Sequence, residues 1–96
     1  PDEMIADIRR IVLGHPRVWG FNDLRTLRSG PNLLIQLDLE LDDDLPLKEA
    51  HAIAEEVTER LKQAFPNADV MIHQEPVSSR TDPGHHRWLD ARKGDG

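Results

Sequence analysis

Residues 33–41 constrain this chain more than any other stretch. Leu33, Ile35, Leu37, Leu39 and Leu41 alternate with residues that include Gln36, Asp38 and Glu40. A period of two over nine residues is the signature of a strand with one apolar face and one polar face. The run is preceded by Ser29-Gly30-Pro31-Asn32, a strong turn signal, and before that by residues 17–28, which read as an extended segment of imperfect alternation. The two together predict a β-hairpin. A strand apolar on one side only must be covered on that side by another layer, which points to helices packed on a small sheet.

The covering layer can be read from the rest of the sequence. Met4, Ile5, Ile8, Ile11 and Val12 recur at helical spacing, with Asp2 and Glu3 suited to the helix start and Gly14-His15-Pro16 to its end. Leu47, Ala50, Ile53, Ala54, Val57, Leu61 and Ala64 form a second apolar stripe over residues 46–64, closed by Phe65-Pro66-Asn67. Asp42-Asp43-Asp44 lies just before this helix. The spaced ligands and the glycine of a calcium loop are missing, so these carboxylates read as residues that favour a helix N-terminus. Residues 68–75 form a third strand, with Val70 and Ile72 on one side and Met71, His73 and Glu75 on the other. Pro76 lacks the N–H that would continue the ladder.

The expectation is an α+β fold in the order αββαβ, ferredoxin-like, with two helices on one face of a three-stranded sheet. The domain is expected to span residues 1–76. Residues 77–96, rich in Ser, Gly, Asp, Arg and Lys, are expected to form a flexible tail. His85-His86 in that tail reads as incidental rather than ligating, and His15 as a polar loop residue. Trp19 is expected to pack in the core.

Composition excludes several functions. The 96 residues suit one domain, and the 38% that are apolar leave a modest core. With 12 basic residues against 18 acidic, the formal charge of −6 disfavours nucleic acid and suits cations. There is no cysteine, so a metal site would draw on His, Asp and Glu. No apolar run approaches the roughly 20 residues that span a bilayer, and no signal peptide is visible. The chain starts with Pro1 rather than Met and so reads as a piece of something longer. No activated nucleophile or phosphate-cradling glycine loop is present, so an enzyme is not expected.

The polar sheet face is expected to carry Asp38, His73, Glu75 and Asn22, with His51 beside the stripe of the second helix. One or two imidazoles with two carboxylates make a chemically sensible site for a divalent metal. On spacing alone, the same residues also fit an ordinary solvated sheet surface.

A resemblance favours the metal. Val18-Trp19-Gly20-Phe21-Asn22-Asp23-Leu24-Arg25-Thr26 with Ser29-Gly30-Pro31, and then Ile35-Gln36-Leu37-Asp38-Leu39-Glu40, carry its first half. Leu45-Pro46-Leu47 with Glu49-Ala50-His51, and Phe65-Pro66 followed by Asp69 through Pro76, carry the second. Together they resemble the cytoplasmic C-terminal domain of the cation diffusion facilitator family of metal transporters, closest to its bacterial ferrous-iron and zinc efflux branch.

The resemblance implies a metallochaperone-like fold, a homodimer, and an N-terminal transmembrane domain that this sequence lacks. It places the domain on the cytoplasmic face of the bacterial inner membrane. In that family the membrane part exchanges a divalent metal for protons, and the C-terminal domain binds metal at the dimer interface. Carried over by position, the implied ligands are Asn22, Asp38, His51, His73 and Glu75. The implied ion is Zn2+ first, with Fe2+, Mn2+ or Cd2+ as alternatives.

The sequence departs from the family pattern at three of these positions. Histidine is common where Asn22 stands, the zinc branch has histidine at Asp38, and the His-plus-Asp pair of the third strand is here His73 with Glu75. The rival reading is a dimerisation module whose metal site has lapsed.

Overall fold

The computed structural model describes residues 2–79. In order, α1 (Asp2–Leu13), β1 (Gly20–Ser29), β2 (Asn32–Leu41), α2 (Leu47–Ala64) and β3 (Ala68–Pro76) form the expected αββαβ sequence, followed by a short 3-10 turn at Val77–Ser79. The sheet order is β1-β2-β3. β1 and β2 pair antiparallel through a tight turn between Ser29 and Asn32, where Gly30 takes a φ of 60° that glycine adopts without steric cost. β2 and β3 pair parallel, and α2 makes the crossover between them.

The odd-numbered face of β2 forms the floor of the core. Ile35, Leu37 and Leu39 are at most 1% exposed, and they meet Ile8 and Val12 of α1 and Ile53, Val57 and Leu61 of α2. Complete burial of each such side chain favours folding by roughly 1.5–3 kcal/mol. Val70 and Ile72 of β3 and Leu24 of β1 pack against the same cluster. Both helices therefore cover one face of the sheet. Among the described residues, no helix or strand packs over the other face.

Several details differ from the sequence expectation. β1 begins at Gly20 rather than near residue 17, and Val18 and Trp19 lead into it. Trp19 is half-buried and does not join the core; Phe21 takes the inward position, while the Trp19 N–H donates to the Glu40 carbonyl at 2.9 Å. In α2, Leu47 and Ala64 belong to the stripe by spacing but lie exposed, at the first and last residues of the helix. Val77–Ser79, assigned to the flexible tail, are held by a bond from the Ser78 N–H to Asp43 Oδ1 at 3.1 Å. The Ser78 side chain, and after it this backbone bond, hold the Asp43 carboxyl below its ordinary value. Residues 80–96, with His85-His86, lie outside the described residues.

His15 is not a solvated loop residue. It is 3% exposed, its Nδ1 accepts the Arg17 N–H at 3.1 Å, and its Nε2 lies 2.6 Å from Glu56 Oε1. The first bond makes Nδ1 an acceptor and leaves Nε2 to donate, so the imidazole ties the α1–β1 connection to α2. The His15 bond draws the Glu56 carboxyl below its ordinary value, helped by the charges of Arg60 and Arg17. The unfolded chain thus binds more protons at Glu56 than the folded chain. The pair's contribution is complete above the unfolded value of 4.5 and is lost as pH falls through the lower folded value. A Glu56→Gln chain is therefore expected to show a shallower fall in melting temperature than the parent between about pH 5 and about pH 3. Parallel curves over that range would show that Glu56 does not contribute to acid lability.

Candidate metal centre

The uncovered sheet face is polar at one end. Parallel pairing sets Asp38 of β2 directly beside His73 of β3, and Glu75 follows two residues on. Side chains two apart on a strand share a face, so the register alone brings the three groups together. His73 Nδ1 lies 3.3 Å from Asp38 Oδ1 and 3.2 Å from Glu75 Oε2. One ligand atom from each of the three residues falls within 4.8 Å of the others. The Asp38 and Glu75 side chains are 21% and 29% exposed, and the imidazole is 69% exposed. The carboxylates are thus held in the sheet surface, with the ring standing out toward solvent.

Asp23 also belongs to this neighbourhood, though spacing did not predict it. The β1–β2 register slips between Asn22 and Arg25, and Asp23 sits in the slip with a φ of 52°. A bulge inserts one residue on one strand. This explains the imperfect alternation: Phe21 and Leu24 both face the core although they are three apart. The bulged Asp23 carboxyl contacts that of Asp38. Burial, then that contact, then the charge of Glu75 push the Asp38 carboxyl above its ordinary value, while the bond to His73 opposes them.

A carboxyl raised in the folded state binds its proton more tightly there than in the unfolded chain. The ionised form therefore costs stability at neutral pH, and the cost is relieved as pH falls through the raised value. Asp38→Asn is expected to raise the metal-free melting temperature at neutral pH by about 2–4 °C, equivalent to about 0.5 kcal/mol. A lower melting temperature in that variant would mean the His73–Asp38 bond outweighs the crowding of carboxylates.

The other expected ligands are placed differently. Asn22 pairs with Asp38 across β1 and β2, so it lies at the margin of the cluster, but its Nδ2 donates to Glu40 Oε2 at 3.1 Å. Glu40 was expected on the solvated face. It is on that face but fully buried, between Gly20 and Glu75 in the register. His51 is not brought to the cluster. It stands exposed on α2, which packs against the opposite face, and its Nε2 lies 3.5 Å from Glu55 Oε1. Glu40 could have been suspected from sequence as a carboxylate in a strand otherwise rich in leucine, and the bulge from the three-residue step between Phe21 and Leu24.

An oxygen-rich donor set with one imidazole fits a divalent ion. Because His73 Nδ1 faces both carboxylates, a metal at that nitrogen would displace a proton from it. Two helices over a three-stranded sheet, with an imidazole between carboxylates on the uncovered face, define a metallochaperone-like α+β domain. Residues 1–77 match the family described as the cytoplasmic domain of cation efflux proteins, and the chain belongs to that family. Its members are domains of transporters, not enzymes.

Among relatives, the cation-efflux pump FieF of Pectobacterium atrosepticum is 49% identical over 79 residues, which are 82% of this chain and 26% of that protein. The chain thus spans about a quarter of the length of the relatives it matches. Among solved structures, the transporter CzrB in its zinc form is 32% identical with a TM-score of 0.73, over 85% of this chain and 94% of that one. The metal-bound C-terminal domain of the CzcD transporter from Thermotoga maritima is 28% identical with a TM-score of 0.74, over 78% and 88%.

Proposed function

We propose that this chain is the regulatory and dimerisation domain of a proton-coupled divalent cation efflux transporter. In this reading two copies pair, and metal bound near their interface favours the closer arrangement. The observation that carries it is the Asp38–His73–Glu75 cluster, gathered within 4.8 Å on a sheet face that no described helix covers. The membrane-embedded partner is inferred from relatives such as FieF, a cation-efflux pump about four times the length matched. The zinc form of CzrB and the metal-bound CzcD domain support a divalent ion, and zinc first.

Asp38, His73 and Glu75 supply the primary ligands, and Asn22 borders them. His51 joins from a second copy, a role its exposed position on α2 supports. Metal would act by electrostatics. Asp23, Asp38 and Glu75 repel one another, and bringing a second acidic copy close adds to the repulsion. A dication removes it, so it binds the closed arrangement more tightly and shifts the population toward it. The attached membrane domain would then respond to the change in spacing.

Calorimetric titration of the chain with zinc, at pH 7.5 and again at 5.5, tests this together with sedimentation with and without metal. Binding is expected at the higher pH, weakened at the lower because His73 and His51 must be neutral to ligate, with a more compact dimer when zinc is present. The rival reading, a dimerisation module with a lapsed site, draws on the engagement of Asn22 by Glu40. A dimer that takes up no zinc would favour it over the regulatory reading.

A further inference from the structure

Glu40 is 0% exposed on a face whose other described polar residues reach solvent at least in part. Burying a carboxylate is costly, and such groups persist where they hold a specific partner. One such partner is Asn22, whose Nδ2 donates to Glu40 Oε2 at 3.1 Å. A carboxylate accepts and an amide oxygen cannot donate, so this contact permits only one orientation of the Asn22 amide. The nitrogen turns to Glu40, and the oxygen turns away. Asn22 Oδ1 is buried, and it accepts no hydrogen bond among the described residues. Asn22 lies directly across from Asp38 in the β1–β2 ladder, where paired side chains stand about 4.5–5.5 Å apart on one face.

We infer that Glu40 is a positioning residue that fixes the Asn22 amide with its oxygen toward Asp38, extending the metal site onto β1 as a third oxygen donor and tuning it toward oxygen-preferring cations such as Mn2+. The inference rests on the proposed Asp38–His73–Glu75 site. It gives a neutral asparagine a defined part in that site: the buried carboxylate selects which end of the amide meets the ion. Within one chain the resulting set has one imidazole nitrogen with oxygens from Asp38, Glu75 and Asn22. Carboxylate and amide oxygens suit manganese-type ions, whereas zinc gains most from nitrogen and sulfur ligands. Outer residues that orient a ligand typically change affinity by about 10–100-fold when lost.

The test is calorimetry of the chain with Mn2+ and with Zn2+, for the parent, Glu40→Gln, Asn22→Ala and the double variant. Glutamine can both donate and accept, so it no longer dictates the amide's orientation. Glu40→Gln is expected to weaken Mn2+ by about 10-fold and Zn2+ by less than about 3-fold. Asn22→Ala should do the same, and adding Glu40→Gln to it should change Mn2+ affinity by less than about 2-fold, because the carboxylate acts only through the amide. An effect of Glu40→Gln that persists in the Asn22→Ala background overturns the inference, as does an equal loss for both ions.

Asn22 is partly exposed, so Asn22→Ala gives an answer even if the buried substitution does not fold. Unchanged Mn2+ affinity in Asn22→Ala is by itself fatal to the idea. Should the parent take neither ion, the metal site falls and this inference with it. If the parent binds and the variants bind equally well, the roles of Glu40 and Asn22 are refuted while the Asp38–His73–Glu75 site stands.

Discussion

The His73→Ala chain is expected to bind zinc at least about 100-fold more weakly than the parent while folding almost as well. His73 supplies the only nitrogen of the cluster and stands between its two carboxylates. Removing it leaves Asp38 and Glu75 facing each other with no group between them, so the site loses a ligand and gains repulsion. The ring is 69% exposed, and a surface substitution of this kind changes stability by no more than about 0.5 kcal/mol. Binding and folding thus separate cleanly in one variant. With zinc at about 100 times its dissociation constant, the parent should gain about 2.7 kcal/mol, or roughly 10–20 °C in melting temperature. The variant should gain almost nothing. A zinc-dependent shift of the same size in both proteins would place the ion elsewhere on the chain.

A second large effect is expected one residue away from the site, on the other side of the sheet. Leu37 is 1% exposed at the centre of β2, and its neighbour Asp38 points to the cluster. Leu37→Ala removes packing and leaves a cavity between sheet and helices, at a cost of about 2.7–5 kcal/mol. For a domain of this size that is roughly 15–30 °C of melting temperature, and a large share of a total stability of about 5–15 kcal/mol. Zinc should restore about 2.7 kcal/mol of it by binding only the folded form. The rescue should vanish in the Leu37→Ala, His73→Ala double variant. Chemical denaturation with and without zinc measures both numbers. A loss below about 1 kcal/mol would mean the core collapses around the smaller side chain.

Much of this could be read from the residues. The leucines of β2 declare their face because a period of two has no other outlet, and the two helical stripes have only that face to cover. The parallel pairing that sets Asp38 beside His73 follows from α2 lying between their strands. Reading stopped where the chain departs from regular geometry. The bulge at Asp23 is one added residue, visible only as an irregular step from Phe21 to Leu24, and the periodicity of the strand cannot say where it projects. The burial of His15 and Glu40 was missed for a related reason. Each is a polar residue whose partner, Glu56 or Asn22, is distant in sequence, and nothing local announces such a bond. His51 was read beside a helical stripe, and the structure puts that helix behind the sheet, away from the cluster of its own chain.

The parallel register between β2 and β3 has one more implication. Asp38 and His73 are 35 positions apart, and the whole of α2 must fold back before they touch. Closing so long a loop is slow compared with forming the hairpin of β1 and β2. A polypeptide still emerging from the ribosome, or one clipped within the crossover, holds the carboxylate without its imidazole. Such fragments would lack the joined Asp38–His73–Glu75 cluster, so in the proposed reading metal binding waits on completion of the domain.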